Sequence, residues 1–432
     1  MDSFDDYLLS RTEHNRQKQK NMIKCSKPIY GVMSMKYINA HDVLPDKLLI
    51  AIQKYYQGGY LYIPKETCYT VKRKTDYKIE LEKRNQHIYL KHLEGRTNNQ
   101  LGSIYHLSES SIRRIIAKEK VRYREMKKQI EQILPLWGIE NRQLLQVYPS
   151  AWEINHFYII KVYHNKKQLE RNIKISSILS ACNIPVAEAV LTKTGETYVE
   201  CQNMYFLLSK KLPGSNLFKR KDQKTAWKMG CVIAQLQAAF QKCEKEMVFW
   251  ENSLLKEMKG WVREKLVFHE WAVIEEPEYC KTVKRLEEVY DYLPKQLIHR
   301  DVHFGNFLFS EGHFTGYIDF DLSQKNIRIF DVCYFLTGLL ADEAENLFSK
   351  NEWLEIVNAV IAGYESVLKL SEKEKNAVPC VMECIEILFA AYFLGLEDIK
   401  HAKDACQVFH FIQNCESEVI AACKTGGLEY RL

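Results

Sequence analysis

Residues 297–309 read Leu297-Ile298-His299-Arg300-Asp301-Val302-His303-Phe304-Gly305-Asn306-Phe307-Leu308-Phe309, and Gly316-Tyr317-Ile318-Asp319-Phe320-Asp321 follows soon after. Asp301 and Asn306 stand five apart and Asn306 and Asp319 thirteen apart, with apolar, β-favouring runs flanking the polar positions. The pattern predicts short strands joined by a tight loop that gathers three oxygen-bearing side chains. Phosphoryl transfer needs such a set. One carboxylate orients an attacking hydroxyl and takes its proton. An amide oxygen and a second carboxylate hold Mg2+ against the phosphates, because Mg2+ prefers oxygen ligands and keeps several waters.

His299, Asp301, His303 and Asn306 spell H-x-D-x-H-x-x-N. This stretch resembles the kinase-like superfamily, and more narrowly the aminoglycoside phosphotransferase and choline kinase group, over about residues 140–420. Protein serine/threonine kinases usually place a lysine two residues after the aspartate, where this chain has His303. The resemblance implies an α+β, bilobal protein-kinase-like fold with a small β-rich lobe and a large helical lobe. It also implies ATP or GTP with Mg2+ as cofactors and a small-molecule hydroxyl as acceptor. Asp301 is then the catalytic base, and Asn306 and Asp319 are the metal ligands. His299 and His303 are expected to hold the loop by hydrogen bonds, Asp321 to stand one step back from the metal, and Asp331 to brace the loop.

Upstream, Lys161 interrupts the apolar run Phe157-Tyr158-Ile159-Ile160-Lys161-Val162-Tyr163. A lysine in a buried strand is costly unless it meets a phosphate or a carboxylate. By resemblance it is the lysine that holds the α/β-phosphates and pairs with a helix glutamate. Glu170 is the only acid in the following helix and the expected partner, with Asn172 the other position in register. Tyr205 to Gly214 resembles the hinge between lobes, where the backbone around Ser209, Lys210 and Lys211 would hold adenine. The segment Tyr148–Asn155 has no glycine where kinases often carry a Gly-rich loop, so Ser150 and nearby N–H groups are expected to cover the phosphates. Beyond Trp353, Tyr364, Tyr392, Phe393 and Glu397 are candidates either for the acceptor wall or for plain core.

The N-terminal third differs in charge. Residues 1–134 hold 26 Lys and Arg against 15 Asp and Glu, whereas residues 135–432 hold 35 against 40. Such asymmetry suggests a basic module joined to an ordinary acidic domain. Apolar periodicity predicts a helix over 79–93 ended by Gly95, a short helix over 98–105, and a third over 111–118 capped by Ser108. A helix-turn-helix has this plan. Ile38-Asn39-Ala40 through Ile63-Pro64-Lys65, with Arg84-Asn85 and Leu107 to Arg113, resembles the Mor transcription activator type of domain over about residues 36–120. The resemblance implies a dimer that binds duplex DNA. Ser110, Arg113, Arg114 and Lys118 are the expected contacts, although a helical protein–protein module has the same outline. The expected division is a leader over 1–35, the helix-turn-helix domain over 36–134, and the kinase-like domain over 139–432. Its small lobe spans 139–213 and its large lobe 214–432. Pro135 and Gly138 mark the boundary, with separate cores on either side.

Composition excludes several classes. At 46% hydrophobic and 27% charged residues the chain is neither disordered nor collagen-like. Its 13 cysteines show no CxxC pair, which reads as reduced thiols in a cytoplasmic protein. No run of 18 uninterrupted apolar residues predicts a membrane span. Two readings follow: a small-molecule kinase fused to a DNA-binding module, or a regulator whose kinase-like domain senses a ligand without turnover.

Overall fold

The structure is a computed structural model that describes Leu49 and residues 72–105, 107–140, 143–216, 222–249, 251–342 and 349–425. The chain divides into two compact units, and the described residues from Glu82 onward all fall in one of them. The leader and most of residues 36–78 lie outside the described residues.

Three helices open the described chain: α1 (Lys72–Leu93), α2 (Asn98–Tyr105) and α3 (Glu109–Ile133). Gly95, at φ +93°, turns the chain after α1. Ser108 caps α3 by accepting the Ser111 N–H at 3.2 Å, so one orphan donor of the first turn is satisfied. Ile88, Leu101 and Ile112 form a small core, with Ile115 and Ile116 packed against it. The third helix runs well past the expected residue 118, because no breaker intervenes before Pro135.

The chain then forms β1 (Leu144–Tyr148), β2 (Ala151–Ile154), β3 (Tyr158–Tyr163), α4 (Lys166–Ala181), β4 (Val199–Cys201) and β5 (Met204–Lys210). The five strands make one antiparallel sheet in the order β1-β2-β3-β5-β4. Alternation along the strands gives it two different faces. On one face Trp152, Ile160 and Leu208 are cross-strand partners, as are Val162 and Phe206. Ile130, Ile133, Leu134 and Trp137 cover that face in a single core, and the Tyr123 ring lies 4.7 Å from that of Trp152. The expectation of separate cores on either side of Pro135–Gly138 is therefore corrected. Burying each of these four side chains contributes roughly 1.5–3 kcal/mol, and Trp137 Nε1 also donates to the Val190 carbonyl at 2.8 Å. Pro135 opens a 3-10 turn here and Gly138 closes it at φ +81°, so the boundary residues bend the chain without dividing the fold.

After β6 (Ser215–Asn216) come α5 (Gln223–Glu246), α6 (Leu254–Glu257), α7 (Arg263–Phe268), α8 (Glu276–Tyr290) and β7 (Lys295–Ile298). Next are β8 (Phe307–Ser310), β9 (His313–Tyr317), β10 (Gln324–Ile327) and α9 (Ile329–Asp342). The chain ends with α10 (Lys350–Glu365), α11 (Glu372–Gly395), α12 (Ile399–Asn414) and α13 (Glu416–Thr425). Strand β7 pairs with β10, and β8 lies between β6 and β9. A second, larger core fills this lobe. Gly230 on α5 and Gly363 on α10 let the two helices touch backbone to backbone, since a Cβ at either would strike the other helix's carbonyl. Helix α11 is long and apolar enough to cross a membrane by length and composition, yet 94% of its most apolar window is buried inside the lobe. The eleven cysteines among the described residues are all free thiols. A small sheet lobe and a large helical lobe, mixed α and β, are thus both present.

Candidate active site

The loop between β7 and β8 is fixed from below. Asp331, in the first turn of α9, accepts the backbone N–H groups of His299 at 3.0 Å and Arg300 at 2.8 Å, and the Gln237 amide at 3.1 Å. Burial pushes the Asp331 carboxyl up, against the pull of these donors. Arg300 sits at φ +70°, a left-handed conformation that costs a non-glycine residue about 1–2 kcal/mol. Its guanidinium offsets this by pairing with both Glu257 oxygens, at 2.8 and 2.9 Å, and by lying 5.4 Å from the Phe330 ring centre. His299 is fully enclosed, and burial lowers its pKa.

This frame places Asp301. Its Oδ2 accepts from Asn306 Nδ2 at 2.9 Å and its Oδ1 from the Tyr334 hydroxyl at 2.9 Å. His303 Nδ1 accepts the Gly305 N–H at 3.0 Å, so the proton of the neutral ring stands on Nε2, 3.5 Å from Asp301 Oδ2. Asn306 spends its amide nitrogen on Asp301, which leaves Oδ1 as its donor toward a cation. The Asn306 carbonyl accepts from Ile318 N–H at 3.1 Å, which ties the loop to the segment leading into Asp319.

Lys161 reaches the same place from the sheet face opposite α3. Its Nζ lies 3.2 Å from Asp319 and 3.0 Å from Asp321. Burial works against the lysine's charge, but the two carboxylates outweigh it and hold its pKa well above the ordinary value. Burial pushes Asp319 up to about 6; Lys161 pulls it down, while Asp321 and Asp301 push the same way as burial. Two carboxylates thus face one lysine in a largely buried space, with Asp301 near enough to act on Asp319, an excess of negative charge that a divalent cation fits. No three His, Cys, Asp or Glu side chains among the described residues form a metal cage. Mg2+ needs none: one or two protein oxygens, phosphates and waters complete its shell. The Asn306 amide oxygen and the Asp319 carboxylate are donors of the right chemistry.

Several expected residues stand elsewhere. Glu170 is exposed and lies 3.9 Å from Lys166, not beside Lys161. Leu169, Asn172, Ile175 and Leu179 form the buried face of α4, and that spacing turns Glu170 outward. Asn172 takes the inward position, where it donates to the Tyr163 hydroxyl at 3.2 Å and to Asp321. At the hinge, Ser209 is buried and its hydroxyl donates to the Ile159 carbonyl at 3.4 Å, whereas Lys210 is exposed. Lys211 is exposed as well but tied to the small lobe: its N–H donates to the Phe157 carbonyl at 2.8 Å and its ammonium binds Glu153 at 2.6 Å. That N–H is therefore engaged within the lobe, not open to adenine. Pro149 and Ser150 form the turn between β1 and β2, next to the register pair Ala151 and Lys161. Tyr364 and Phe393 are core, and Glu397 is exposed. Ser110, Arg113, Arg114 and Lys118 are all exposed near the start of α3, with Arg113 2.6 Å from Glu109.

Tyr334, Arg171 and Glu257 were not among the expected site residues. Tyr334 had a signal, since it lies one helical turn beyond Asp331 and faces the same loop; the other two carried none in the sequence.

Residues 135–374 match the phosphotransferase enzyme family (APH). A segment of 87 residues is 38% identical to a homoserine kinase of Phenylobacterium zucineum (strain HLK1), covering 20% of this chain and 25% of that one. The chain therefore spans about a quarter of that relative's length. Another 84-residue match, 37% identical, covers 97% of the uncharacterized protein YraL of Bacillus subtilis (strain 168) and 19% of this chain. In fold, the chain is similar to amicoumacin kinase hAmiN solved with AMP-PNP, Ca2+ and Ami. The TM-score is 0.51 and the identity 16%, over 69% of this chain and 96% of that one.

Proposed function

The chain belongs to the phosphotransferase enzyme family, and on that premise we propose that it transfers the γ-phosphate of ATP or GTP to a hydroxyl of a small molecule. One observation carries the reading. Lys161, Asp301, Asn306 and Asp319, spread over 158 residues of sequence, converge at the junction of the two lobes with their polar atoms facing one another. Asp301 accepts the proton of the acceptor hydroxyl, with Tyr334 and Asn306 holding the carboxylate in place. Asn306 and Asp319 hold Mg2+, which when bound neutralises charge on the transferring phosphoryl group. Lys161 binds the phosphates on the side of the small lobe. The test is ADP release by the full chain across amino alcohols, sugars and aminoglycosides. Asp301→Asn keeps Mg-ATP binding and lowers transfer by about 10²–10⁴-fold, the usual share of general-base catalysis. Transfer that survives this substitution unchanged removes Asp301 from the base role.

For residues 36–134 we propose duplex DNA binding as a dimer, with Ser110, Arg113, Arg114 and Lys118 at the DNA. Their exposure at the capped start of a helix supports this. Arg113→Ala should weaken binding to a selected site by about 1–3 kcal/mol if that arginine reads a base. Affinity should also fall steeply with salt. Full-length protein that binds no duplex at low salt sinks the proposal. The second reading, a DNA-binding regulator whose kinase-like domain senses a ligand without turnover, draws on α3, which runs unbroken from those residues into the core of the small lobe. It gains if Mg-ATP binds, no acceptor is phosphorylated, and DNA affinity changes with nucleotide.

A further inference from the structure

A lysine that holds phosphates must itself be held, or it wanders among rotamers and loses much of its binding energy to ordering. In this chain the expected helix carboxylate is absent from the site, because Glu170 faces solvent and the inward position of α4 carries Asn172. An amide has no charge to pair with an ammonium. The helix nonetheless reaches the lysine through a third residue. Arg171 donates to the Asp321 backbone carbonyl at 2.7 Å, and Asn172 Nδ2 donates to Asp321 Oδ1. The other oxygen, Oδ2, binds Lys161 Nζ at 3.0 Å. Each oxygen of Asp321 thus has one task. Its side chain is also nearly sealed from solvent, with 1% exposed against 18% for Asp319. Asp319 is the more open carboxylate and the one tied to Asp321 N–H, at 3.3 Å.

We propose that Asp321, steered by Arg171 and Asn172, is the positioning residue for Lys161, standing in for a helix glutamate. This assignment rests on the phosphotransferase reading for its purpose, though not for its geometry. A cation held by Asp319 would compete with the lysine for that carboxylate, whereas Asp321 would remain paired with it. Its ammonium then stays charged and aimed at the phosphates. Asp321 is therefore an anchor for the lysine, not a third ligand for the metal.

Two measurements on the full chain test this. The first uses no ligand: thermal unfolding of Lys161→Met, Asp321→Asn and the double variant. If Asp321 anchors Lys161, the double variant melts no lower than the worse single variant, because each substitution breaks the same pair. Fully additive losses overturn the proposal. The second titrates a fluorescent ATP analogue in EDTA and again in Mg2+. Asp321→Asn should weaken binding by about tenfold in both buffers alike. Adding Asn172→Glu to Asp321→Asn should restore most of the affinity, since the longer acid brings the carboxylate back from the helix. A loss confined to the Mg2+ titration makes Asp321 a metal ligand and overturns the anchor role. If the unsubstituted chain binds no nucleotide in either buffer, the phosphotransferase reading fails, while the unfolding cycle still decides what holds Lys161.

Discussion

The loop between β7 and β8 and the cluster around Lys161 meet in one place but are built in opposite ways. The loop is nearly self-sufficient. Asp301 is held by Asn306 five residues on and by Tyr334 on α9, and the loop backbone by Asp331 on the same helix. The clamp is assembled from afar: Lys161 on β3 finds its carboxylates 158 and 160 residues away, and α4 contributes through Arg171 and Asn172, which hold Asp321 and not the lysine itself. A site braced within one stretch of chain can be written as a motif. A site braced across two lobes is decided by packing, and its partners can be exchanged while the geometry survives.

Three substitutions sharpen this contrast. Asp331→Ala should have the largest effect. It leaves two buried backbone N–H groups without an acceptor, each costing about 1–3 kcal/mol. Thermal unfolding should therefore reveal a loss of about 2–6 kcal/mol, with phosphotransfer gone. A variant of near-native stability and activity would mean the loop does not depend on its brace. Trp137→Ala should cost about 3–5 kcal/mol, as buried aromatic truncations do, although it lies on the far face of the sheet from Lys161. Denaturant unfolding reads that loss directly, and nucleotide affinity should fall with it if the clamp depends on the sheet as a whole. Glu170→Gln should be the smallest, within about 0.5 kcal/mol and silent in nucleotide binding, as exposed substitutions usually are. A strong loss of ATP affinity there would return Glu170 to the lysine and break the comparison.

The same contrast explains what was legible in the sequence. Asp301, Asn306 and Asp319 were readable because their spacing alone, between apolar runs, demands a tight loop. Lys161 was readable because a lysine inside an apolar strand needs a reason. Its partner was not. Glu170 has the right charge, and only the burial of Leu169, Asn172, Ile175 and Leu179 on the other face of α4 reveals that it faces outward. The hinge is no easier to read: Lys210 and Lys211 look alike in sequence and both are exposed, yet Lys211 reaches Glu153. The shared core beneath α3 was masked by charge. Tyr123, Met126, Ile130 and Ile133 recur at helical spacing within a strongly basic run, and the excess of lysine and arginine drew the boundary at Pro135 instead.

Helix α3 is one unbroken rod of 25 residues, so it measures about 37 Å at 1.5 Å rise per residue. One end is clamped in the small-lobe core; the other carries Ser110, Arg113 and Arg114. A rod pinned at one end is a pointer. If the lobe tilts by about 5° as its cleft opens or shuts, the far tip sweeps about 3 Å, by simple trigonometry on that length. That is comparable to one base-pair step along a duplex, 3.4 Å by strand repeat. A small rotation around a nucleotide would thus be displayed, enlarged, at the opposite end of the helix.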